Sequence, residues 1–163
     1  MADIEAYRQG RIDQKVQPDP RVFTPTGDVF HVGEVALFVL RQPEGSSYCG
    51  EACLSMLGWP IGTLPISADG LSSDQVTALT GAELEFPPDT YDSQVPYLVA
   101  GKKRQRGKNG DPVTHWFIRV GEEVADPLSG RTEPAEDYLS REIEEVLVVM
   151  QVQFRDGLKM AHC

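Results

Sequence analysis

The stretch Gln42–Met56, QPEGSSYCGEACLSM, places a loop rich in Gly and Ser directly before an apolar segment. Apolar residues spaced three and four apart after Cys49 predict a helix that begins at or near this cysteine. The first turn of a helix carries unpaired backbone N–H groups and the positive end of the helix dipole, and both stabilise a thiolate. We therefore predict a central helix over residues 49–58, with Cys49 as a nucleophile at its N-terminus.

A histidine and an aspartate follow on two predicted strands. Residues 114–118 form an apolar strand that carries His115, and residues 123–126 form a second strand that ends at Asp126. A tight turn near Gly121 joins the two strands into a hairpin, which brings His115 and Asp126 onto adjacent strands. A free thiol is only a few per cent ionised at neutral pH, so a nucleophilic cysteine needs a base such as His115.

These motifs, taken in order, resemble those of the papain-like cysteine peptidases, and in particular the C39-like branch, which includes the double-glycine-leader, bacteriocin-processing peptidases. The residues that carry the resemblance are Gln42, Cys49-Gly50-Glu51-Ala52-Cys53, His115-Trp116 and Asp126-Pro127. The resemblance covers roughly residues 35–152. It implies an α+β fold of the papain type, in which the central helix carrying the cysteine packs on an antiparallel sheet carrying the histidine and the aspartate.

The resemblance also implies a role for each residue. Cys49 would be the nucleophile and His115 the general acid and base, while Asp126 would orient the imidazole. The Cys49 backbone N–H and the Gln42 side chain would stabilise the oxyanion. Gln42 lies seven positions before Cys49 instead of the usual six, a difference that a one-residue loop insertion accounts for.

The composition of the chain limits its domain number, its partners and its localisation. The chain has 163 residues, which fits one domain with a modest core, and a net charge of −10, which argues against nonspecific binding to nucleic acid. No stretch approaches the length of a membrane span, and the charged N-terminus lacks the apolar core of a secretory signal. We therefore expect a protein that is cytoplasmic or assembled into a larger particle, with no nucleic-acid or membrane partner and no cofactor or metal.

The three cysteines indicate a reducing compartment. An odd number leaves at least one thiol free, and Cys49 and Cys53 lie one helical turn apart, a poor geometry for a structural disulfide. Cys53 is predicted to be a core residue. His162 and Cys163 are adjacent at the end of the sequence, so we do not expect them to act as a catalytic pair.

The sequence divides into an extended N-terminal arm over residues 1–28 and a papain-like domain over residues 29–163. The arm is polar and holds three prolines; it either drapes over the surface, docks on a protein assembly partner or occludes the cleft. Residues 101–112 form the one basic stretch, with five of the fifteen Lys and Arg residues. This stretch is either a solvated loop or a loop that grips an acidic substrate or partner.

Other elements follow from local patterns. Residues 29–40 predict a strand pair broken at Gly33, and residues 71–81 predict a helix capped by Ser72 or Ser73. We expect Thr132 to cap a short helix that begins near Pro134. Residues 146–154 predict a buried strand that becomes alternating toward its end.

Three functional classes stay open at this stage. The first is a cysteine peptidase or related amide hydrolase that cleaves a peptide or protein substrate. The second is an acyl-transfer enzyme with the same triad, such as a transglutaminase-like or deamidating enzyme. The third is a catalytically retired papain-like fold that serves as a structural or assembly component of a larger particle, for example a phage tail. The first two classes require a reactive Cys49, and the third does not.

Overall fold

The computed structural model describes residues 19–155 and has the predicted α+β class: in this part of the chain, three helices accompany a two-stranded hairpin and a six-stranded antiparallel sheet. The elements in chain order are β1 (Thr24–Val32), β2 (Val35–Arg41), α1 (Cys49–Met56), α2 (Ser73–Thr80), β3 (Leu84–Glu85), β4 (Tyr97–Lys103), a 3₁₀ turn (Lys108–Gly110), β5 (Thr114–Val120), β6 (Glu123–Asp126), β7 (Arg131–Pro134), α3 (Ala135–Glu142) and β8 (Ile143–Gln151). None of the helices described combines the length and the apolar character that a membrane crossing requires.

Strands β1 and β2 form the hairpin that the sequence predicts. Gly33 occupies the turn with φ +60°, a backbone conformation that side chains with a Cβ rarely adopt. Strand β1 begins at Thr24, so the last five residues of the predicted arm belong to this hairpin. Residues 1–18 of the predicted arm lie outside the described residues.

The large sheet has the strand order β3-β8-β4-β5-β6-β7, and its two faces are covered by different helices. Helix α1 packs against β5 and β2, with Cys53 in the same apolar cluster as Trp116 and Ile118. Phe117, between those two strand residues, belongs to a second cluster and lies with its ring centroid 5.0 Å from that of Tyr138 on α3. This alternation follows from the two-residue period of a strand, and it gives the sheet a core on each face.

Helix α1 is buried almost all round, as seven of its eight residues are shielded from solvent. Its close approach to the sheet depends on Gly50. A Cβ atom at this position would lie 2.9 Å from the Leu71 Cβ and 3.0 Å from the Trp116 Cδ1. The helix ends at Met56, and Gly58 follows with φ +84°, as the predicted stop requires.

Helix α2 is capped by Ser72, one of the two capping residues that the sequence predicts. The Ser72 hydroxyl accepts a hydrogen bond from the Gln75 backbone N–H, and the Gln75 side chain accepts one from the Ser72 backbone N–H. This reciprocal pair is a capping box. Gly81 ends the helix in the left-handed conformation.

Two local predictions differ from the structure, and one short strand has no counterpart among the predictions. Thr132 does not cap a helix, because it lies in β7 opposite Ala125 and its backbone N–H donates to Asp28 Oδ2 at 2.8 Å. Strand β3 was not predicted, since two residues are too few for a periodic signal. Strand β8 begins three residues earlier than expected, and its burial runs in the opposite order: Leu147 is 47% exposed, whereas the later Met150 is fully buried.

The tight contact at Gly50 makes a stability prediction. We expect Gly50→Ala to lower the free energy of unfolding by about 1–3 kcal/mol, because the new methyl group would push α1 away from Leu71 and Trp116. Gly62→Ala is the matched control, because a Cβ there would meet no atom within 4 Å. Chemical denaturation of the two variants gives the comparison, and an equal effect in both would contradict the packing argument.

Candidate active site

The predicted site residues meet at a cleft of about 230 Å³ beside the N-terminus of α1 and the start of β5. Cys49, His115 and Gln42 all line this cleft. Its other lining residues are Ser46, Ser47, Asp69, Gly70, Leu71, Lys103, Val113, Thr114, Trp116 and Leu128. Asp126 does not line the cleft, but it contacts His115, which does.

A short hydrogen bond of 2.6 Å joins His115 Nε2 to Asp126 Oδ1. The strand register explains it. Strands β5 and β6 pair Ile118 with Ala125, and one further step places Asp126 opposite Phe117. His115 and Asp126 are therefore diagonal neighbours on adjacent strands, within reach of each other's side chains.

The pair is buried, with only 5% of His115 and 4% of Asp126 exposed. Burial lowers the pKa of His115, but its interactions with Asp126 and Cys49 outweigh this and raise the pKa to about 9. Burial raises the pKa of Asp126, yet the His115 hydrogen bond and charge lower it by more. At neutral pH the pair is therefore an imidazolium bound to a carboxylate.

Cys49 occupies the first position of α1 and is 7% exposed. The Trp116 backbone N–H donates a hydrogen bond to its Sγ at 3.3 Å, which holds the sulfur against the start of β5. Because Asp126 occupies His115 Nε2, the other ring nitrogen, Nδ1, is the one available to exchange a proton with the thiol. The three side chains thus form a chain from sulfur to carboxylate.

Trp116 also closes the site from the core side. Its indole Nε1–H donates to the Leu71 carbonyl at 2.9 Å, and only 5% of the residue is exposed. Its backbone contact to Cys49 and its place in the cleft wall give it a direct link to the site.

Gln42 lies in the cleft, but its amide is engaged. The side-chain Nε2 donates to the Ser46 carbonyl at 2.9 Å and lies 3.3 Å from the Ser46 hydroxyl. The Gln42 backbone N–H donates to the Pro127 carbonyl at 2.8 Å, which ties the end of β2 to the residue after Asp126. Gln42 is therefore positioned by the same segment that carries the aspartate, while its oxyanion role requires one amide hydrogen to leave Ser46.

Asp126 is itself held in place. Its Oδ1 also accepts the Leu128 backbone N–H at 3.0 Å, and its carbonyl accepts the Gly130 backbone N–H at 2.8 Å. These local bonds shape the turn between β6 and β7. They fix the carboxylate that in turn fixes the imidazole.

The remaining cysteine in the described chain has a different environment. Cys53 is fully buried, and burial raises its pKa well above the ordinary value for a thiol. It belongs to the core cluster, as the sequence predicts. His162 and Cys163 lie outside the described residues. Within residues 19–155, no group of His, Cys, Asp and Glu side chains is arranged to hold a metal ion.

Two features of the site region were not foreseen. Lys103 was assigned to the basic loop, but it is the last residue of β4 and lines the cleft. Glu51, two residues after Cys49, is 1% exposed and one of its oxygens has no hydrogen-bond partner among the described residues. Burial raises the pKa of Glu51, and the buried Arg21 opposes that shift. The sequence did contain a signal for both residues, because each is a charged residue within or beside an apolar segment.

Comparisons with known proteins add no assignment. No protein-family model matches the chain, and the searches of curated proteins and of solved structures also found no match.

The hydrogen bond from His115 to Asp126 leads to a prediction about the titration of His115. We expect His115 to titrate near pH 9, and Asp126→Asn to lower its pKa by at least about two units, because burial then acts without the compensating charge. NMR titration of the imidazole measures both values. Asp89→Asn, a change at an exposed loop residue, is the control and should leave the His115 titration in place.

The same shift predicts how stability depends on pH. A raised histidine pKa contributes stability that is fully present below pH 6.5 and is lost as the pH rises through about 9. We therefore expect the stability advantage of the wild type over Asp126→Asn, on the order of 3 kcal/mol, to shrink across this window. Denaturation at pH 6 and pH 9.5 tests this, and an advantage that grows with pH would contradict it.

Proposed function

We propose that this chain is a papain-like, C39-like cysteine peptidase or a related amide hydrolase that acts on a peptide or protein substrate. The observation that supports this most is the buried 2.6 Å contact between His115 and Asp126, with the Cys49 thiol beside the same imidazole in one cleft. An ordinary core histidine needs neither a buried carboxylate nor a neighbouring thiol at a helix N-terminus.

The finer description of the fold as papain-like belongs to this proposal. It is supported by a buried helix that begins at the cysteine and packs on an antiparallel sheet. Adjacent strands of that sheet carry His115 and Asp126. The chain order of the four residues, Gln42, Cys49, His115 and Asp126, supports it as well.

The proposed reaction has two stages. The Cys49 sulfur attacks the substrate carbonyl carbon, and the protonated His115 gives its proton to the departing amine as the C–N bond breaks. Water then attacks the resulting thioester, and His115 takes a proton from that water while the C–S bond breaks. The products are an amine, a carboxylic acid and the free Cys49, so the enzyme returns to its starting state.

Two donors would stabilise the oxyanion formed in each stage. The Cys49 backbone N–H lies at the first helical position, where no acceptor within the helix exists. The second donor is the Gln42 amide, once a hydrogen now directed at Ser46 turns to the oxyanion. Removal of one such donor lowers turnover by about 100- to 1000-fold in enzymes that use them.

One observation favours the alternative of a papain-like fold without turnover, serving as an assembly component. In the structure both contacts of the Gln42 Nε2 group go to Ser46, so one of its hydrogens must leave Ser46 before it can reach an oxyanion. An acyl-transfer enzyme of the transglutaminase or deamidase type would use the same Cys49 chemistry with a different acceptor or substrate amide.

The two cysteines of α1 provide the test. We expect the wild type to cleave members of a mixed peptide library, read by mass spectrometry as new chain ends, and Cys49→Ala to abolish cleavage with little loss of stability. Cys53→Ser is the matched control: it should cost stability, because it buries a hydroxyl in the core, and should retain cleavage.

The same assay separates the three classes. Addition of a fluorescent primary amine, incorporated into peptides through Cys49, would indicate acyl transfer in place of hydrolysis. A one-dalton increase at a glutamine without chain cleavage would indicate deamidation. Equal loss of activity in Cys49→Ala and a still-folded Cys53→Ser, or the absence of any product, would contradict the peptidase assignment.

A further inference from the structure

Lys103 lines the cleft beside Cys49 and His115, and its ammonium group has no acidic partner in the described chain. The residue is half-buried at the end of β4, and its backbone N–H donates to the Val113 carbonyl at 2.8 Å. Across residues 19–155, no carboxylate forms an ion pair with Lys103.

The neighbouring basic residues are arranged differently. Glu144 on β8 pairs with Lys102 at 3.2 Å and with Arg106 at 3.4 Å. Neither residue lines the cleft. Two cations of the basic stretch, Lys102 and Arg106, are therefore paired with Glu144 outside the cleft. Lys103 is the member of the stretch that lines the cleft, and it has no acidic partner among the described residues.

The charge of Lys103 acts on the site. It contributes to the lowered pKa of Asp126, so it lies near enough to influence the His115–Asp126 pair. The chain as a whole carries a net charge of −10, which disfavours the approach of anions. Asp69 also lines the cleft, but it is exposed and its charge is screened by solvent, whereas Lys103 is half-buried.

We propose that Lys103 binds a substrate carboxylate next to the bond that Cys49 attacks, which makes acidic peptides the preferred substrate class. This inference rests on the proposed function. A half-buried ammonium has lost part of its hydration, and a substrate carboxylate that reaches it replaces water with an ion pair. The cation also offsets the unfavourable overall charge at the point where the substrate binds.

Two small alkylating reagents test this without a known substrate. Iodoacetate carries a carboxylate, and iodoacetamide is its neutral counterpart of nearly the same size. Rates of Cys49 modification are measured at pH 9, where even an ordinary thiol reacts and a lysine is still charged. Peptide mass mapping identifies the modified cysteine.

We expect Lys103→Met to lower the ratio of the iodoacetate rate to the iodoacetamide rate about three- to tenfold. Lys102→Met is the matched control, because it removes the same charge from the adjacent position of β4 and should change the ratio less than twofold. An unchanged ratio in Lys103→Met, or an equal fall in both variants, would overturn the proposal.

Larger reagents identify the source of the carboxylate. Acetyl-Asp and acetyl-Asn chloromethyl ketones compare a side-chain carboxylate with its amide, and bromoacetyl-glycine and bromoacetyl-glycinamide compare a terminal carboxylate with its amide. We expect one of these acidic reagents to react faster than its amide counterpart with the wild type but not with Lys103→Met. That reagent identifies whether the substrate carboxylate is a side chain or a chain terminus. If neither pair responds to Lys103→Met, acidic peptides are not the substrate class.

The two rates test the two proposals separately. The rate with iodoacetamide by itself measures the reactivity of Cys49. A slow rate therefore counts against the proposed function. The ratio of the two rates depends on charge at the cleft and cancels the reactivity of the thiol, so it reports on Lys103 in either case.

Discussion

The hydrogen bond between His115 and Asp126 is the constraint on which the arrangement of the site depends. Two ionisable groups that are 5% and 4% exposed would each be costly to bury alone, and they are tolerated because they form a charged pair. The pair in turn requires the β5–β6 register and the backbone bonds around Asp126. The Pro127 carbonyl then holds the Gln42 backbone, so the position of the predicted oxyanion donor follows from the same segment.

The second requirement is the close seating of α1. Gly50 lets the helix approach Leu71 and Trp116, and the Trp116 backbone N–H can then reach the Cys49 sulfur. Helix α1 and strand β5, which share one apolar cluster, thereby meet at the point where the chemistry is proposed. The Cys49-Gly50 dipeptide therefore combines two roles, one in the site and one in packing. These two roles explain why a cysteine is followed by glycine, a residue with low helix propensity, at the start of a buried helix.

Sequence reasoning reached the elements with strong local signals. Gly33, Gly58 and Gly81 mark their predicted turn or helix ends, and His115 and Asp126 lie on the predicted strands. It failed where tertiary contacts determine the local structure. Thr132 looks like a helix cap in isolation, but Asp28, 104 residues earlier in the chain, holds it in β7. The place of Lys103 in the cleft was likewise invisible, because it depends on how the ends of distant strands meet. The contact of the Gln42 amide with Ser46, four residues later, depends on a loop conformation that has no sequence period.

The proposed chemistry requires the Cys49 sulfur to exchange a proton with His115. The most direct measurement is the rate of Cys49 alkylation by iodoacetamide as a function of pH, in the wild type and in His115→Ala, with Cys49→Ser as the blank. We expect a fast rate that persists below pH 6 in the wild type and disappears in His115→Ala. A rate that rises only near about pH 8.5, as for an ordinary thiol, and is unchanged in His115→Ala would contradict it.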